Sequence, residues 1–410
     1  MGLNLKKKIL TGKIFLIFFI FVFSTIIGCS SAIGQSPARD PQVKSPHHIS
    51  NRAEWKDTNG QYYLEIYATD HYNLGKLEGE YLESQILTLN QIIKELLIYY
   101  DIPLELVTSL AYIYNHYIPF IYKLEMFGIS RAIPSLSYTD ILLQIVFLDL
   151  FYGFLNPLMV STDKLAGCTA LSINQQGNMI GQNLDFSLLF YPTLSWVRYS
   201  LPRKTPVFAL YMGAGTIPMG KNKYVSSLIT LVQTKIFHQI FATPTFIKTK
   251  IAFENSKTAD EFLNYLTDGF TCSWNFIIAD KKKIIASETI NSIRIDEVVK
   301  ENNFAVRTNT YITEELEDYL IDPFYSKERQ LKAEELVSYK LSMENPLSII
   351  DIVEILSYYD GTNSSIIRFP NINDPLSTST LSFFIFDLSS NNGYFGLGNT
   401  IISTLGIIPV

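Results

Sequence analysis

Residues 167–186 read GCTALSINQQGNMIGQNLDF. Two short runs, CTALSIN and NMIGQNLDF, flank a Gln-Gly pair, the pattern of a β-hairpin. If the turn is Gln176-Gly177, Gln175 faces Asn178 and Cys168 lies directly across from Asp185. Opposed residues in such a pair have Cβ atoms about 4.5–5.5 Å apart. A carboxylate there could hold an ammonium group. A turn one residue longer would break this pairing. Taken alone, Cys168 also reads as a small packed core residue and Asp185 as a turn cap.

Downstream of Gly167 the chain alternates β-type runs with Gly, Asn and Lys turns: WNFIIAD then KIIASETI, FAVRTNTYI, and TLSFFIFD then GYFGLGN. Thr258 to Leu266 and Glu328 to Tyr339 have helical patterns. Upstream, QYYLEIYAT (61–69) has strand character and precedes a long helical pattern. There Leu82, Ile86, Leu89, Ile93, Leu96 and Tyr100 form one apolar stripe. Residues 102–160 suggest further helix, interrupted at Pro103, Pro119, Pro134 and Pro157. The expected architecture is α+β, a layered sheet fold with antiparallel pairing behind a mainly helical amino-proximal region.

The 410 residues are 47% hydrophobic and 18% charged, a core-forming composition. The first 28 residues hold four lysines and no acid, so their removal takes the formal charge from −6 to −10. A chain that acidic is not expected to bind nucleic acid. Lys6-Lys7-Lys8, the apolar run from Ile14 to Ile27, and Gly28-Cys29 read as a secretory signal, 1–28, too short to span a membrane. The segment Ile26-Ile27-Gly28-Cys29 resembles a bacterial lipobox, which implies lipidation of Cys29 and a lipid-anchored place in the bacterial cell envelope, outside the cytoplasm. The polar, Pro-punctuated stretch 29–59 reads as a tether. Cys168 and Cys272 then remain as one pairable set of thiols, with Cys272 treated as packed.

The chain has no Gly-x-Ser-x-Gly elbow, no His-Glu-x-x-His, no Cys-x-x-Cys, no phosphate loop and no Gly-x-Gly-x-x-Gly. Beyond His47 and His48 in the tether, His71, His116 and His238 are scattered, so a His-based triad, a papain-like Cys-His pair or a multi-histidine metal site is not expected, nor is a cofactor. A nucleophile that becomes amino-terminal supplies its own base, and this directs attention to Gly167-Cys168-Thr169.

Gly167-Cys168-Thr169, the turn and Gly181-Gln182-Asn183-Leu184-Asp185-Phe186 resemble the start of the mature chain in cysteine N-terminal-nucleophile (Ntn) hydrolases. That superfamily includes choloylglycine hydrolase, penicillin V acylase, acid ceramidase, N-acylethanolamine acid amidase and the isopenicillin-N acyltransferase group (peptidase C45 type). YATDHYNLGKLEGEYLESQI, with Gly75 and Gly79, is similar to the propeptide motif, and the downstream strands and Ser326-Lys327-Glu328-Arg329 follow in the family's order. The resemblance implies an αββα sandwich, with residues 60–167 as a helical amino-proximal chain and 168–410 as the catalytic chain. It implies cleavage between Gly167 and Cys168, the two chains remaining associated. Cys168 would then be nucleophile and, through its amine, base; Asp185 would bind that amine; Asn275 would supply the oxyanion donor; and Arg329 would stabilise the site. Asn309 is expected as a supporting residue. Gln182, where most members have Arg, points to the acyltransferase branch. Leu231 and Val232 stand where a polar side chain often closes the site, with Gln233 beside them. The expected activity is hydrolysis of a small-molecule linear N-acyl amide, or acyl transfer from it, through a Cys168 thioester. The alternative is a non-catalytic surface lipoprotein of the same fold that binds an acylated ligand.

Overall fold

Asn59 and Gly60, both at positive φ (54° and 79°), reverse strand β1 (Arg52–Thr58) onto β2 (Gln61–Tyr67). Residues 52–58 thus belong to the sheet, which corrects the tether expected over 29–59. With only Ala53 and Trp55 apolar and one neighbour, this edge strand carries little hydrophobic signal. The computed structural model describes residues 50–155, 166–267, 269–321, 326–343, 345–371, 373–374 and 376–409. The leader 1–28, Cys29 and most of the tether lie outside the described residues.

Five helices follow: α1 (His71–Tyr81), α2 (Glu83–Tyr99), α3 (Leu104–Tyr117), α4 (Phe120–Ala132) and α5 (Tyr138–Leu148), the last continuing as a π-helical turn over Asp149–Leu155. The apolar stripe of α2 is buried as its spacing requires. Pro103 and Pro119 sit at the caps of α3 and α4, so these prolines begin helices. Helices α1 and α4 cross through glycines: a Cβ on Gly75 would fall 1.9 Å from Glu125 O, and one on Gly128 2.2 Å from Tyr72 O.

The remaining chain supplies β3 (Ala166–Asn174), β4 (Asn178–Ser187), β5 (Leu194–Ser200), β6 (Val207–Met212), β7 (Gly215–Lys221) and β8 (Ser226–Leu231). Helices α6 (Thr245–Asn255) and α7 (Ala259–Asn264) precede β9 (Trp274–Ala279), β10 (Ile284–Ile290), β11 (Ile293–Val298) and β12 (Asn303–Arg307). Then come α8 (Glu314–Glu317), α9 (Ser326–Leu341), α10 (Ile349–Leu356), β13 (Thr378–Asp387), β14 (Asn392–Leu397) and β15 (Gly406–Ile407). One sheet has nine strands in the order β1-β2-β5-β6-β7-β8-β9-β10-β11, and the other six, β12-β3-β4-β13-β14-β15. All pairings are antiparallel except β2 with β5.

The sheets face each other through β3, β4 and β12 against β8 and β9. Helices α9 and α10 cover the outer face of the smaller sheet over Leu171, Ile173, Met179, Phe383 and Ile385. The other helices, α1, α2, α5, α6 and α7 among them, cover the larger sheet. The result is the expected helix–sheet–sheet–helix sandwich. Residues 49–410 cluster as one unit, so the helical region and the sheets share a core.

A buried polar network joins helices to sheet. His71 Nδ1 lies 2.7 Å from Glu125 Oε2, and its Nε2 3.4 Å from Glu254 Oε2. Lys250 pairs with Glu125 and approaches Glu78 at 3.6 Å. Tyr122, Tyr199 and Tyr211 donate to Glu254 and Glu78 at 2.7, 3.0 and 3.0 Å. Burial opposes the charge on His71, but the carboxylates of Glu125 and Glu254 beside its two ring nitrogens outweigh it and lift its pKa to about 9.

Candidate active site

The β3–β4 loop contains three residues. Asn174 pairs with Asn178, Gln176 (φ 52°) and Gly177 (φ 151°) take left-handed conformations, and Gln175 N donates to Gly177 O at 3.1 Å. This extra loop residue shifts the register by one and corrects the expected pairing. Cys168 faces Leu184, and Gly167 faces Asp185. Because side chains alternate along a strand, the Cys168 thiol and the Asp185 carboxylate point to opposite faces of the sheet.

The thiol points inward. It lines a cavity of about 30 Å³ between the sheets, enclosed by side chains that include Leu184, Phe186, Leu231, Trp274 and Leu381, with Leu148 of α5 and Phe246 of α6 also on its wall. Cys168 is 3% exposed, and Sγ lies 3.9 Å from Asp185 O. Burial, followed by the negative charge of Asp185, pushes the thiol pKa up to about 12, against a smaller pull from the backbone of Asp185 and Leu231 and from Arg329. In the uncut chain this thiol is neutral. Cys272 is also free and buried.

Asp185 points outward. Thr380 Oγ1 donates to its Oδ1 at 2.6 Å, and Arg368 Nε lies 3.9 Å from Oδ2. Burial raises its pKa to about 6, while Arg329, Arg368 and Thr380 hold it down. Arg368 and Thr380 carry no sequence signal of this role; Thr380 shares a face with Asp185 because the two strands oppose them.

The backbone of Cys168 is gripped by side chains. Cys168 N donates to Asn309 Oδ1 at 2.7 Å. Arg329 Nη2 donates to the same oxygen at 2.7 Å and approaches Cys168 O at 3.4 Å. Asn309 Nδ2 donates to Leu231 O at 2.8 Å, fastening the thiol strand to the opposite sheet. Thus the group at the Cys168 nitrogen is Asn309, not Asp185. A Cβ on Gly167 would lie 3.4 Å from Arg329 Nη1, so the guanidinium also sits under the Gly167–Cys168 peptide.

Asn275 lies in the same layer without its amide directed at the thiol. Its Nδ2 donates to Thr308 O and Thr310 O, both at 2.9 Å, bracing the segment that carries Asn309. Gln182 crosses between the sheets, donating to Ile229 O at 2.6 Å and accepting from Ile229 N at 2.9 Å. Leu231 lines the cavity, Val232 packs with Tyr311 and Leu316, and the buried Oε1 of Gln233 has no hydrogen-bond partner among the described residues. Nothing polar from 231–233 closes the cavity. No cluster of His, Cys, Asp and Glu fit to hold a metal occurs among the described residues.

No curated protein matches the chain. Among solved structures, penicillin V acylase from Agrobacterium tumefaciens is similar at 12% identity and a TM-score of 0.42, covering 58% of this chain and 84% of that one. The sequence match is regional and includes Asn275, Asn309 and Arg329 but not Cys168. Residues 240–401 match the model of the acyl-coenzyme A:6-aminopenicillanic acid acyl-transferase family.

Proposed function

We propose that this protein is a self-processing cysteine amidohydrolase or acyltransferase acting on linear N-acyl amides. One observation carries the reading: the backbone on both sides of Cys168 is held by Asn309 and Arg329, while its thiol alone faces an apolar cavity. In the first step Sγ attacks the Gly167 carbonyl, and the peptide nitrogen leaves as the amine of Cys168. Water then hydrolyses the thioester, leaving the Gly167 carboxylate and a free α-amine.

That amine is covalently fixed beside the thiol and has a reference pKa of about 7.7–8.0. It takes the Sγ proton as the thiolate attacks a substrate amide, then returns it to the departing amine. Asn309 Oδ1 accepts from the amine and orients it; Arg329 keeps Asn309 in place. Asn275 serves as oxyanion donor after releasing one of its two carbonyl partners, an effect of about 2.7–4 kcal/mol for such a donor. The cavity of about 30 Å³ is smaller than an acyl group, so Leu184, Phe186 and Trp274 part to admit it, and their apolar surface selects an apolar group. Water or a second amine releases the thioester. The substrate is thus a small N-acyl amide, with the chains 29–167 and 168–410 remaining joined through the core and the network around Glu254. Attachment through a lipid on Cys29, outside the cytoplasm, completes the reading.

The competing reading, a surface lipoprotein that binds an acylated ligand without turnover, draws on Leu231 in the cavity wall and on the occupied donors of Asn275. Intact mass of the full chain in mild detergent near neutral pH, beside Cys168→Ala, separates the two. Two fragments dividing between Gly167 and Cys168, absent from the variant, are expected. An uncut chain that also fails to form an acyl adduct overturns the enzymatic reading.

A further inference from the structure

The gap between the sheets has a second cavity at its other end. Leu194 of β5, Met212 of β6 and Ile217 of β7 line the thiol cavity. Four residues along β5 and β6, on the same face, Arg198 and Phe208 line a cavity of about 570 Å³, together with Lys221, which pairs with Phe208 beyond a bulge in β7. At about 3.3 Å per residue, the two lie about 13 Å apart. The positions between them, Trp196, Leu210 and Met219, are fully buried, and Trp196 stacks on Phe208 and Phe384 with ring centroids 5.0 and 5.7 Å apart. An aromatic wall therefore separates the second cavity from the chemistry at Cys168.

Its lining is cationic. Lys223 and Tyr224 in the β7–β8 turn and Lys281 in the β9–β10 turn join Arg198, Phe208 and Lys221, and among the described residues no Asp or Glu lines it. Arg198 is paired with Glu65. Lys221 is 6% exposed; its Nζ donates to Asn391 Oδ1 at 3.1 Å and lies 4.1 Å over the Phe386 ring. Among the described residues neither it nor Lys223 or Lys281 forms an ion pair. The acids flanking these turns are committed elsewhere: Asp280 accepts from the N–H groups of Ala259, Lys282 and Lys283, and Asp387 from that of Ser389. Burial, then the charges of Arg198 and Lys281, push the Lys221 pKa down to about 8. A buried ammonium without a counter-charge is costly, and an anion in the cavity removes that cost.

We propose that this second cavity binds a small organic phosphate carrying a flat apolar ring. Lysines are point charges that gather around a multi-oxygen, doubly charged anion, whereas a lone carboxylate is matched by one bidentate Arg. Phe208 and Tyr224 supply the ring's apolar surroundings. The volume lies within the range of small-molecule sites. The inference is independent of the reaction proposed for Cys168.

Titration calorimetry of the full chain in mild detergent tests it, with phenyl phosphate as probe and inorganic phosphate, phenylacetate and a short-chain phosphatidic acid as comparators. Phenyl phosphate is expected to bind most tightly, with an affinity that falls as salt rises. Lys221→Met and the exposed pair Lys223→Ala/Lys281→Ala should each weaken it at least about tenfold. The pair keeps the test open if the buried substitution prevents folding. Tighter binding of the lipid phosphate, or equal binding of inorganic phosphate, overturns the flat-ring assignment. No binding of phenyl phosphate, or binding unchanged in the Lys223→Ala/Lys281→Ala chain, overturns the site. Acyl labelling of Cys168 should be unchanged in that double variant, so failure here is distinguishable from failure of the proposed reaction.

Discussion

The two faces of the β3–β4 hairpin differ as sharply as any two regions of this molecule. Inward, Cys168, Leu184 and Phe186 meet an apolar wall, and among the described residues no carboxylate or imidazole lines the cavity beside the thiol. Outward, Gly167 and Asp185 meet Arg329, Arg368 and Thr380. The thiol faces the apolar side, and the charges that grip the backbone face the other. The contrast teaches that the outer charges hold Cys168 through its peptide plane and not through its side chain, which is why the proposed reaction assigns the base to the Cys168 nitrogen.

The sharpest break is Cys168→Ala, expected to reduce chain cleavage and acyl-adduct formation to background by intact mass, with urea unfolding shifted little. Arg329→Met attacks the opposite face. It strips a fully buried guanidinium from Asn309 and from the neighbourhood of Asp185. A loss of about 3–5 kcal/mol is expected in urea unfolding, because partner groups remain buried.

Asp185 gives the outer face a pH signature. Its folded pKa, about 6, lies above the reference of about 3.9, so its contribution to stability is full below about pH 4 and is lost as pH rises through about 6. Asp185→Asn should flatten that part of the stability–pH curve, a difference of about 2–3 kcal/mol across the window. Gln182→Leu leaves Ile229 N–H and C=O without their cross-sheet partner. Unfolding should move by about 1–3 kcal/mol for the groups left unmet, while the Cys168 N–Asn309 bond, and hence cleavage, persists. His71 gives the helical side a pH signature at the alkaline end, of about the same size as that of Asp185. Its stabilising charge is full below pH 6.5 and lost as pH rises through about 9, so the urea midpoint should fall over that interval.

Much of this architecture is written in local pattern. The runs that became β3, β4, β9, β10, β13 and β14 alternate or cluster apolar residues between turns, and the stripe of α2 repeats at helical spacing. The hairpin register was not legible, because it depends on whether the loop holds two or three residues, and Gln175 carries no mark of which. Helix α6 hid for another reason: its Lys248, Lys250 and Glu254 are buried along with Phe246 and Phe253, so no polar face sets off an apolar one. The partners of Glu254 come from residues 71, 122 and 199, too far apart in sequence for any motif. The family resemblance pointed to Cys168 and Arg329, which the fold brings side by side, whereas the place of Asn309 at the Cys168 nitrogen emerged only once β12 and β3 were paired.

The three tryptophans stand in three different places. Trp55 is 41% exposed on the edge strand, Trp196 is stacked in the wall between the cavities, and Trp274 borders the thiol cavity with its indole N–H on Thr245 Oγ1. The molecule therefore carries its own optical reporters. Emission from Trp55 should be quenched by aqueous iodide while the other two stay dark to it. Single Trp→Phe replacements then let filling of the thiol cavity be followed through Trp274, and filling of the cationic cavity through the ring stack of Trp196, without any added label.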